Sequence, residues 1–166
     1  MNRKLTVSRV FRSSSESDTI GLGFSIGSAL GVGDIVILVG DMGAGKTRLA
    51  KGIVSAAAQV SQDEVVSPSF SLINSYVGNL TVDHADLYRL SGSQPDELGI
   101  YDNLEEAAVI IEWGTPRETF DDWELQIAIV TGEDEHSRSI ELTCASEGSW
   151  DKRLSGILTD LERFYR

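Results

Sequence analysis

Residues 40–47 of this chain read Gly40-Asp41-Met42-Gly43-Ala44-Gly45-Lys46-Thr47. The stretch matches the pattern G-x-x-x-x-G-K-[ST] of loops that bind nucleotide phosphates. Glycines in such a loop let backbone N–H groups converge on phosphate oxygens, which a side chain would obstruct. Lys46 supplies a positive charge toward the β- and γ-phosphates, and the Thr47 hydroxyl can coordinate Mg²⁺. The stretch therefore predicts a site for a nucleoside triphosphate.

The segments on either side of this loop have the pattern that the loop requires. Residues 34–39 form a short apolar, β-branched run, which is typical of a strand buried on both faces. In residues 48–58, Leu49, Ile53 and Ala56 recur at helical spacing, and the start of that helix adds its positive end to the anion site. The order strand, loop, helix predicts the α/β fold of the P-loop NTPases.

The remaining segments predict a single domain, residues 1–166, with a mixed, mostly parallel sheet flanked by helices. Ser15 and Asp18 resemble a capping box that opens a helix through Leu30, although the glycines at 21, 23 and 27 weaken this prediction. Further strands are expected at 5–11, 70–77, 80–85, 109–111, 123–130 and 139–143, and a closing helix at 150–166. Gly78-Asn79 predicts a hairpin turn, and the strands at 123–130 and 139–143 predict an antiparallel edge.

Composition limits the class of protein further. The formal net charge of −12 argues against direct binding of the nucleic-acid backbone, which needs many lysines and arginines. The acidic clusters at 121–124 and 133–135 are either solvated loops or a face for a basic partner. The lone Cys144 is expected to be a small apolar residue in a late strand, in a reducing compartment. No run is long enough to span a membrane and no secretory signal is present, so we expect a cytoplasmic location.

Two carboxylates are candidates for completing a magnesium site. Asp86 follows one predicted strand, and Glu112 ends the buried run at 109–111. Since ligands lie at the carboxyl ends of parallel strands, both are expected beside the phosphate loop. Ser69 lies in a hydroxyl-rich segment that could sense the terminal phosphate. His84 is interpreted as a structural residue whose hydrogen bonds are satisfied.

Several motifs together resemble those of one known family. The phosphate loop is followed by Ser-Pro-Ser-Phe at 67–70, His-x-Asp-Leu-Tyr-Arg-Leu at 84–90 and Ile-Glu-Trp at 111–113. This set, in this order, resembles the TsaE (YjeE) family of small bacterial P-loop ATPases. That family is needed for the threonylcarbamoyladenosine modification of tRNAs reading ANN codons. The resemblance covers nearly the whole chain, with the motifs between Ser15 and Trp113.

The resemblance implies a role for each matching residue. Lys46, Asp86 and Glu112 would be catalytic, with Asp86 acting on the metal directly or through water. The Mg²⁺ ligands would be Thr47, Asp86 and Glu112. The residues implied to contact ATP are Glu16, Thr19, Asp41, Met42, Gly43, Ala44, Gly45, Lys46, Thr47, Arg48, Ser69, Trp113 and Arg138. Ser69 replaces the family's usual threonine, and Gly114 stands where many members have proline.

The resemblance also implies an activity and its partners. The chain would be a Mg²⁺-dependent ATPase, weak alone, that acts with the TsaB–TsaD heterodimer, and tRNA would be reached only through that complex. A small-molecule P-loop kinase is one alternative, although the arginines after the loop form no lid-like cluster. A nucleotide-gated binding module with negligible turnover is another. A GTPase is excluded because the chain has no Asn/Thr-Lys-x-Asp guanine motif.

Overall fold

The described part of the chain, residues 5–90 and 94–164 of a computed structural model, forms one seven-stranded sheet with three α-helices. Its elements are β1 (Thr6–Ser13), α1 (Glu16–Ser28), β2 (Ile35–Val39), α2 (Lys46–Ala58), β3 (Ile73–Tyr76), β4 (Thr81–Asp86), β5 (Ala107–Glu112), β6 (Glu124–Thr131), β7 (Arg138–Ala145) and α3 (Ser149–Phe164). Every helix and strand predicted from the sequence is present with shifted ends. The last two residues of the predicted closing helix, 165 and 166, lie outside the described residues.

The sheet has a parallel centre and antiparallel pairs at both edges. Its strand order is β1-β7-β6-β2-β5-β4-β3. Strands β6, β2, β5 and β4 run parallel, whereas β3 pairs antiparallel with β4, and β7 pairs antiparallel with both β6 and β1. The mixed α/β fold is confirmed. The prediction of an antiparallel edge made of the strands at 123–130 and 139–143 is incomplete, because β1 pairs with β7 and forms the outer strand.

The central strands are apolar throughout because both faces of the sheet are covered. All six residues of β5 are buried. On one face Leu38 and Ile110 belong to the same apolar cluster as Ile53 of α2. On the other face Ile37 and Ile111 share a second apolar cluster whose further members are Ile35, Ala85, Leu87, Ile100 and Val109. The predicted strand at 34–39 is therefore confirmed as β2, buried on both faces.

Helix α1 lies unusually close to α2 because glycines form the contact. A Cβ added to Gly23 would lie 2.4 Å from the Leu49 carbonyl oxygen, and one added to Gly27 would lie 2.2 Å from that of Ile53. The glycines that weaken the helix prediction are thus the residues that permit helix packing. The N-cap, Ser15, accepts a hydrogen bond from the Asp18 N–H at 3.0 Å. This packing sets the start of α1 beside the start of α2.

Helix α3 closes the same face of the sheet. Its buried residues Trp150, Leu154 and Leu161 join the cluster that includes the α1 and α2 side chains. The Arg153 guanidinium binds both carboxylate oxygens of Asp34, at 2.6 and 3.0 Å, and thereby ties α3 to the residue before β2. In the described ranges, 5–90 and 94–164, no helix has the length and apolar character needed to cross a membrane.

Candidate active site

The loop between β2 and α2 leaves open space in front of its backbone. Gly43 has a φ of +79° and Gly45 a φ of +115°, conformations that residues with a Cβ rarely adopt. A Cβ added at either position would meet no atom within 4 Å. Glycine is therefore required at both positions by the positive φ angle and not by a neighbouring atom. The open space beside the two residues is a volume that an anion can occupy.

The Lys46 side chain is held over this loop. It is 5% exposed, and its Nζ donates hydrogen bonds to the Gly40 and Asp41 carbonyl oxygens at 2.6 and 2.9 Å. Its Nζ also lies 3.7 Å from the centre of the Trp113 ring. Burial lowers the pKa of Lys46, and the charges of Glu112, Asp86 and Asp41 oppose that lowering. The ammonium group is thus placed at the loop and surrounded by negative charge.

Strand register brings the two candidate carboxylates together. Asp86 ends β4 and Glu112 ends β5, and the two are paired residues in the parallel ladder. Glu112 Oε2 accepts a hydrogen bond from Thr47 Oγ1 at 3.5 Å. Asp86 accepts hydrogen bonds from Ser67 Oγ at 3.2 Å and from the Tyr88 N–H at 2.9 Å. Glu112 therefore reaches the start of α2, and Asp86 lies beside it at the end of the adjacent strand, so that both line one cavity with Lys46 and Thr47.

This donor set fits a magnesium ion that shares its coordination sphere with phosphate. Glu112 is 2% exposed, and its Oε1 has no hydrogen-bond partner within the described residues. Across residues 5–90 and 94–164, no group of three or more His, Cys, Asp or Glu side chains is arranged to hold a metal. Mg²⁺ commonly uses one or two carboxylates with water and substrate phosphates, so Thr47, Asp86 and Glu112 suffice only when a nucleotide completes the sphere.

Two cavities lie on opposite sides of the loop and share Gly43, Gly45 and Arg48. The first, which we call the carboxylate-side cavity, has a volume of about 350 Å³ and is also lined by Met42, Lys46, Thr47, Ser69, Asp86, Tyr88, Glu112 and Trp113. The second, the helix-side cavity, has a volume of about 320 Å³ and is also lined by Ser15, Glu16, Thr19, Ala44, Glu135, His136 and Arg138. All the predicted site residues except Asp41 line one of the two cavities.

The helix-side cavity is built from side chains that already have partners. Glu16 forms an ion pair with Arg48, which joins the first turns of α1 and α2. The Thr19 hydroxyl, 3% exposed, shares a hydrogen bond of 2.8 Å with Ser13 Oγ. Arg138 Nε donates to the Ala44 carbonyl oxygen at 2.7 Å. Thr19 and Arg138 therefore support the wall of this cavity, and Arg138 brings a positive charge to the phosphate loop.

The structure adds residues that sequence reasoning missed. Ser67 contacts Asp86, and the Tyr88 ring lies 4.9 Å from that of Trp113. Both lie inside motifs singled out from the sequence, at 67–70 and 84–90, but neither was predicted as a site residue. Their positions near the predicted site residues Ser69 and Asp86 were the signal that could have identified them. Glu135 and His136 also line a cavity, but their loop reaches it through β6–β7 pairing, which no local pattern reveals.

The interpretation of His84 as a satisfied structural residue is wrong. The side chain is fully buried, and neither ring nitrogen makes a hydrogen bond within the described residues. Its Nε2 lies 3.4 Å from Glu112 Oε1. The sequence gives no indication of this proximity, because the two residues belong to neighbouring strands that are far apart along the chain.

Comparison with known proteins shows the family and the fold of the chain. The sequence model of the family "Threonylcarbamoyl adenosine biosynthesis protein TsaE" matches residues 13–140, which include the loop and both carboxylates. Over the whole fold, the chain resembles the crystal structure of Bacillus subtilis YdiB, with a TM-score of 0.68 and 24% sequence identity, covering 98% of this chain and 99% of that one. This structural likeness shows the fold.

Curated relatives carry the same family name. A tRNA threonylcarbamoyladenosine biosynthesis protein TsaE from Mycobacterium bovis is 40% identical over 108 residues, 58% of this chain and 63% of the relative. The chain therefore spans less than two thirds of the length of that mycobacterial relative. The TsaE protein of a Nostoc species is 33% identical over 143 residues, 82% of this chain and 86% of its own length. The chain belongs to the TsaE family.

Proposed function

We propose that this chain is a Mg²⁺-dependent ATPase required for the threonylcarbamoyladenosine modification of tRNAs reading ANN codons, acting with the TsaB–TsaD heterodimer. The observation that carries the proposal is the register of β4 and β5. It pairs Asp86 with Glu112 beside Thr47 and Lys46, in a cavity that opens onto the glycine loop. Family membership supports the pathway, and this constellation supports phosphate chemistry within it.

The loop and Lys46 would bind the phosphates. Gly43 and Gly45 leave the backbone accessible, so its N–H groups can donate to phosphate oxygens. Lys46 Nζ now contacts the carbonyl oxygens of Gly40 and Asp41, and it would exchange them for β- and γ-phosphate oxygens. The positive start of α2 adds to the same anion site. These groups stabilise negative charge that develops on the transferred phosphoryl group.

The carboxylate-side cavity would position the metal and the attacking water. Thr47, Asp86 and Glu112 would hold Mg²⁺, which would offset phosphate charge during transfer. Either carboxylate could accept a hydrogen bond from the water that attacks the γ-phosphate in line. Ser69 hydrogen-bonds to Ser67, which in turn donates to Asp86, so this hydroxyl pair links the site to an exposed loop. Trp113 would cover the lysine and limit the access of bulk solvent.

The nucleoside would lie in the helix-side cavity, because that cavity adjoins the other side of the same glycines. Glu16, Thr19, Arg48 and Arg138 would contact it or support its walls. Preference for adenine over guanine rests on the family and on the absence of a guanine motif in the sequence. The site thus takes one nucleotide that spans both cavities, with its phosphates at the loop.

The charge of the chain supports an indirect route to tRNA. With 26 acidic residues against 14 lysines and arginines, the surface would repel the nucleic-acid backbone at neutral pH. A partner that itself holds the tRNA removes this difficulty, and in the proposed assembly TsaB–TsaD has that role. We also propose a cytoplasmic location, since the chain has a single cysteine and the pathway acts on tRNA.

The test is reconstituted modification. Purified chain, TsaB–TsaD, ATP, Mg²⁺, tRNA and a threonylcarbamoyl donor should give modified tRNA in repeated turnovers. Lys46→Ala should abolish this product, whereas Lys51→Ala, five residues further along the same helix, should leave it intact. Equal modification by both variants would contradict the proposal.

A second variant distinguishes an ATPase that drives modification by hydrolysis from a binding module that only needs bound nucleotide. Glu112→Ala should bind ATP but release no phosphate and support no modification. Full modification by such an inactive variant would contradict the hydrolysis-driven scheme and favour the gated binding module. Transfer of phosphate to a small acceptor instead of water would favour the kinase alternative.

A further inference from the structure

A buried histidine lies behind the candidate metal site without a role in the proposed mechanism. His84 lies in β4, two residues before Asp86, so both side chains point to the same face of the sheet. That face carries Val82, Ile110 and the α2 side chains. His84 has no exposed surface. A polar ring placed in such an apolar layer costs stability unless it makes hydrogen bonds or serves the site.

Three buried polar atoms at His84 and Glu112 lack a hydrogen-bond partner. Within the described residues, both His84 nitrogens and Glu112 Oε1 make no hydrogen bond, and Nε2 lies 3.4 Å from that oxygen. The other oxygen, Oε2, accepts the hydrogen bond from Thr47. Glu112 is thus placed between two neighbours, one for each oxygen. A shift of a few tenths of an ångström would bring His84 Nε2 from 3.4 Å to ordinary hydrogen-bond distance of Glu112 Oε1.

Other roles for His84 fit the structure less well. A general base must lie within hydrogen-bond reach of the water that it deprotonates, and this fully buried ring lines neither of the two cavities at the loop. A direct ligand of Mg²⁺ should be an oxygen atom, and His84 offers only ring nitrogens. A purely structural role leaves the unpartnered nitrogens unexplained.

We propose that His84 is a positioning residue that orients Glu112 toward the metal. Its Nε2–H donates to Glu112 Oε1 when nucleotide and Mg²⁺ are bound, which fixes the plane of the carboxylate while Oε2 remains beside Thr47. Hydrogen bonds of this kind are often long in the free protein and shorten in the complex. The inference rests on the proposed function, because it assigns Glu112 to the magnesium site.

The test measures nucleotide affinity rather than turnover. A fluorescent, non-hydrolysable ATP analogue is titrated into the full chain with excess Mg²⁺ and again with EDTA, and the ratio of the two affinities is the magnesium gain. In His84→Leu the magnesium gain should fall about 10-fold or more, the usual effect of losing such an orienting partner, with little change in EDTA. In His84→Gln, which keeps an N–H donor, most of the gain should return.

A matched control separates orientation from loss of packing. Val82→Ala removes core volume from the same face of β4, two residues away, without touching Glu112. It should lower the melting temperature and leave the magnesium gain unchanged.

Two outcomes would overturn the inference, and the magnesium gain measured for the wild-type chain distinguishes them. A normal magnesium gain in His84→Leu would refute the role of His84 alone and leave the proposed function in place. A wild-type chain without any magnesium gain would refute the proposed metal site, and the positioning role with it.

Discussion

The two cavities beside the phosphate loop are built in different ways. In the carboxylate-side cavity, Lys46 and Glu112 are almost fully buried and are fixed by the ends of α2 and β5. In the helix-side cavity, Glu16 and Arg48 form an ion pair in which each side chain is about half exposed. A buried charged group has few other conformations or partners and is held in place, whereas an exposed ion pair contributes little to stability. Chemistry is therefore expected to depend on the first cavity and nucleoside contact on the second.

The largest effect should come from the carboxylate-side cavity. Glu112→Gln keeps the shape of the side chain but removes the charge opposite Thr47. We expect phosphate release to fall about 100-fold or more, in line with the loss of one preorganised charge at a reaction centre. Steady-state ATP hydrolysis with the partner proteins measures this.

The control is Glu141→Gln, an exposed position on β7. It should keep wild-type turnover. If Glu112→Gln also keeps it, the division of roles between the two cavities is wrong.

The next effect concerns the helix packing behind the helix-side cavity. Gly27→Ala would place a Cβ 2.2 Å from the Ile53 carbonyl oxygen, so α1 must move away from α2. We expect a loss of about 1–3 kcal/mol in the free energy of unfolding, typical of overpacking, which corresponds to roughly 2–4 °C in melting temperature per kcal/mol. Thermal unfolding measures it.

Gly156→Ala on α3 is the matched control, because a Cβ there meets nothing within 4 Å. It should stabilise the protein by about 0.5–1 kcal/mol. Equal melting temperatures for the two variants would show that the glycine contact between α1 and α2 is not tight.

A smaller effect is expected where β1, the strand that leads into α1, meets α3. The Glu147 N–H and the Arg9 guanidinium lower the pKa of Asp151 from its ordinary value. An acid with a lowered pKa stabilises the fold above its unfolded pKa, and this contribution is lost as pH falls through the folded pKa. Asp151→Asn should therefore cost under about 1 kcal/mol at pH 7.

Denaturant titrations of both proteins between pH 7 and pH 2 measure this difference. The stability gap should close below pH 3.8, the ordinary value for aspartate. A gap that stays constant with pH would mean that the carboxylate charge does not stabilise this contact.

The smallest effect should come from the exposed pair itself. Glu16→Gln removes the ion pair with Arg48 but leaves the buried Thr19 and the carboxylate-side cavity untouched. Nucleotide affinity should change by less than about 3-fold, and the dependence on Mg²⁺ should not change. Titration with a fluorescent nucleotide tests this. A 100-fold loss of affinity would show that the exposed pair binds the nucleotide strongly.

The same contrast explains what the sequence could predict. The carboxylate-side cavity follows from local signals, since a glycine loop, a following helix and carboxylates at the ends of buried strands meet at one edge of a parallel sheet. Parallel pairing then sets Asp86 opposite Glu112. These features are visible in short stretches of sequence, and the mixed α/β fold follows from the same stretches.

The parts that the sequence did not predict depend on long-range contacts. The outer position of β1 follows from its pairing with β7, more than 120 residues away along the chain. Gly23 and Gly27 weaken a helix in isolation, and only the packing against α2 explains them. His84 looked inert because its neighbour, Glu112, lies on another strand. Local patterns contain no information about such partners.

We propose that ATP is hydrolysed at the loop in the presence of Mg²⁺ and that partner proteins accelerate the reaction. The most direct measurement is phosphate release from ATP by the wild-type chain and by Lys46→Ala, each with and without TsaB–TsaD. We expect slow release by the wild type alone, faster release with the heterodimer, and none from Lys46→Ala in either condition. Release that is unchanged in Lys46→Ala, or unaffected by the heterodimer, would contradict this proposal.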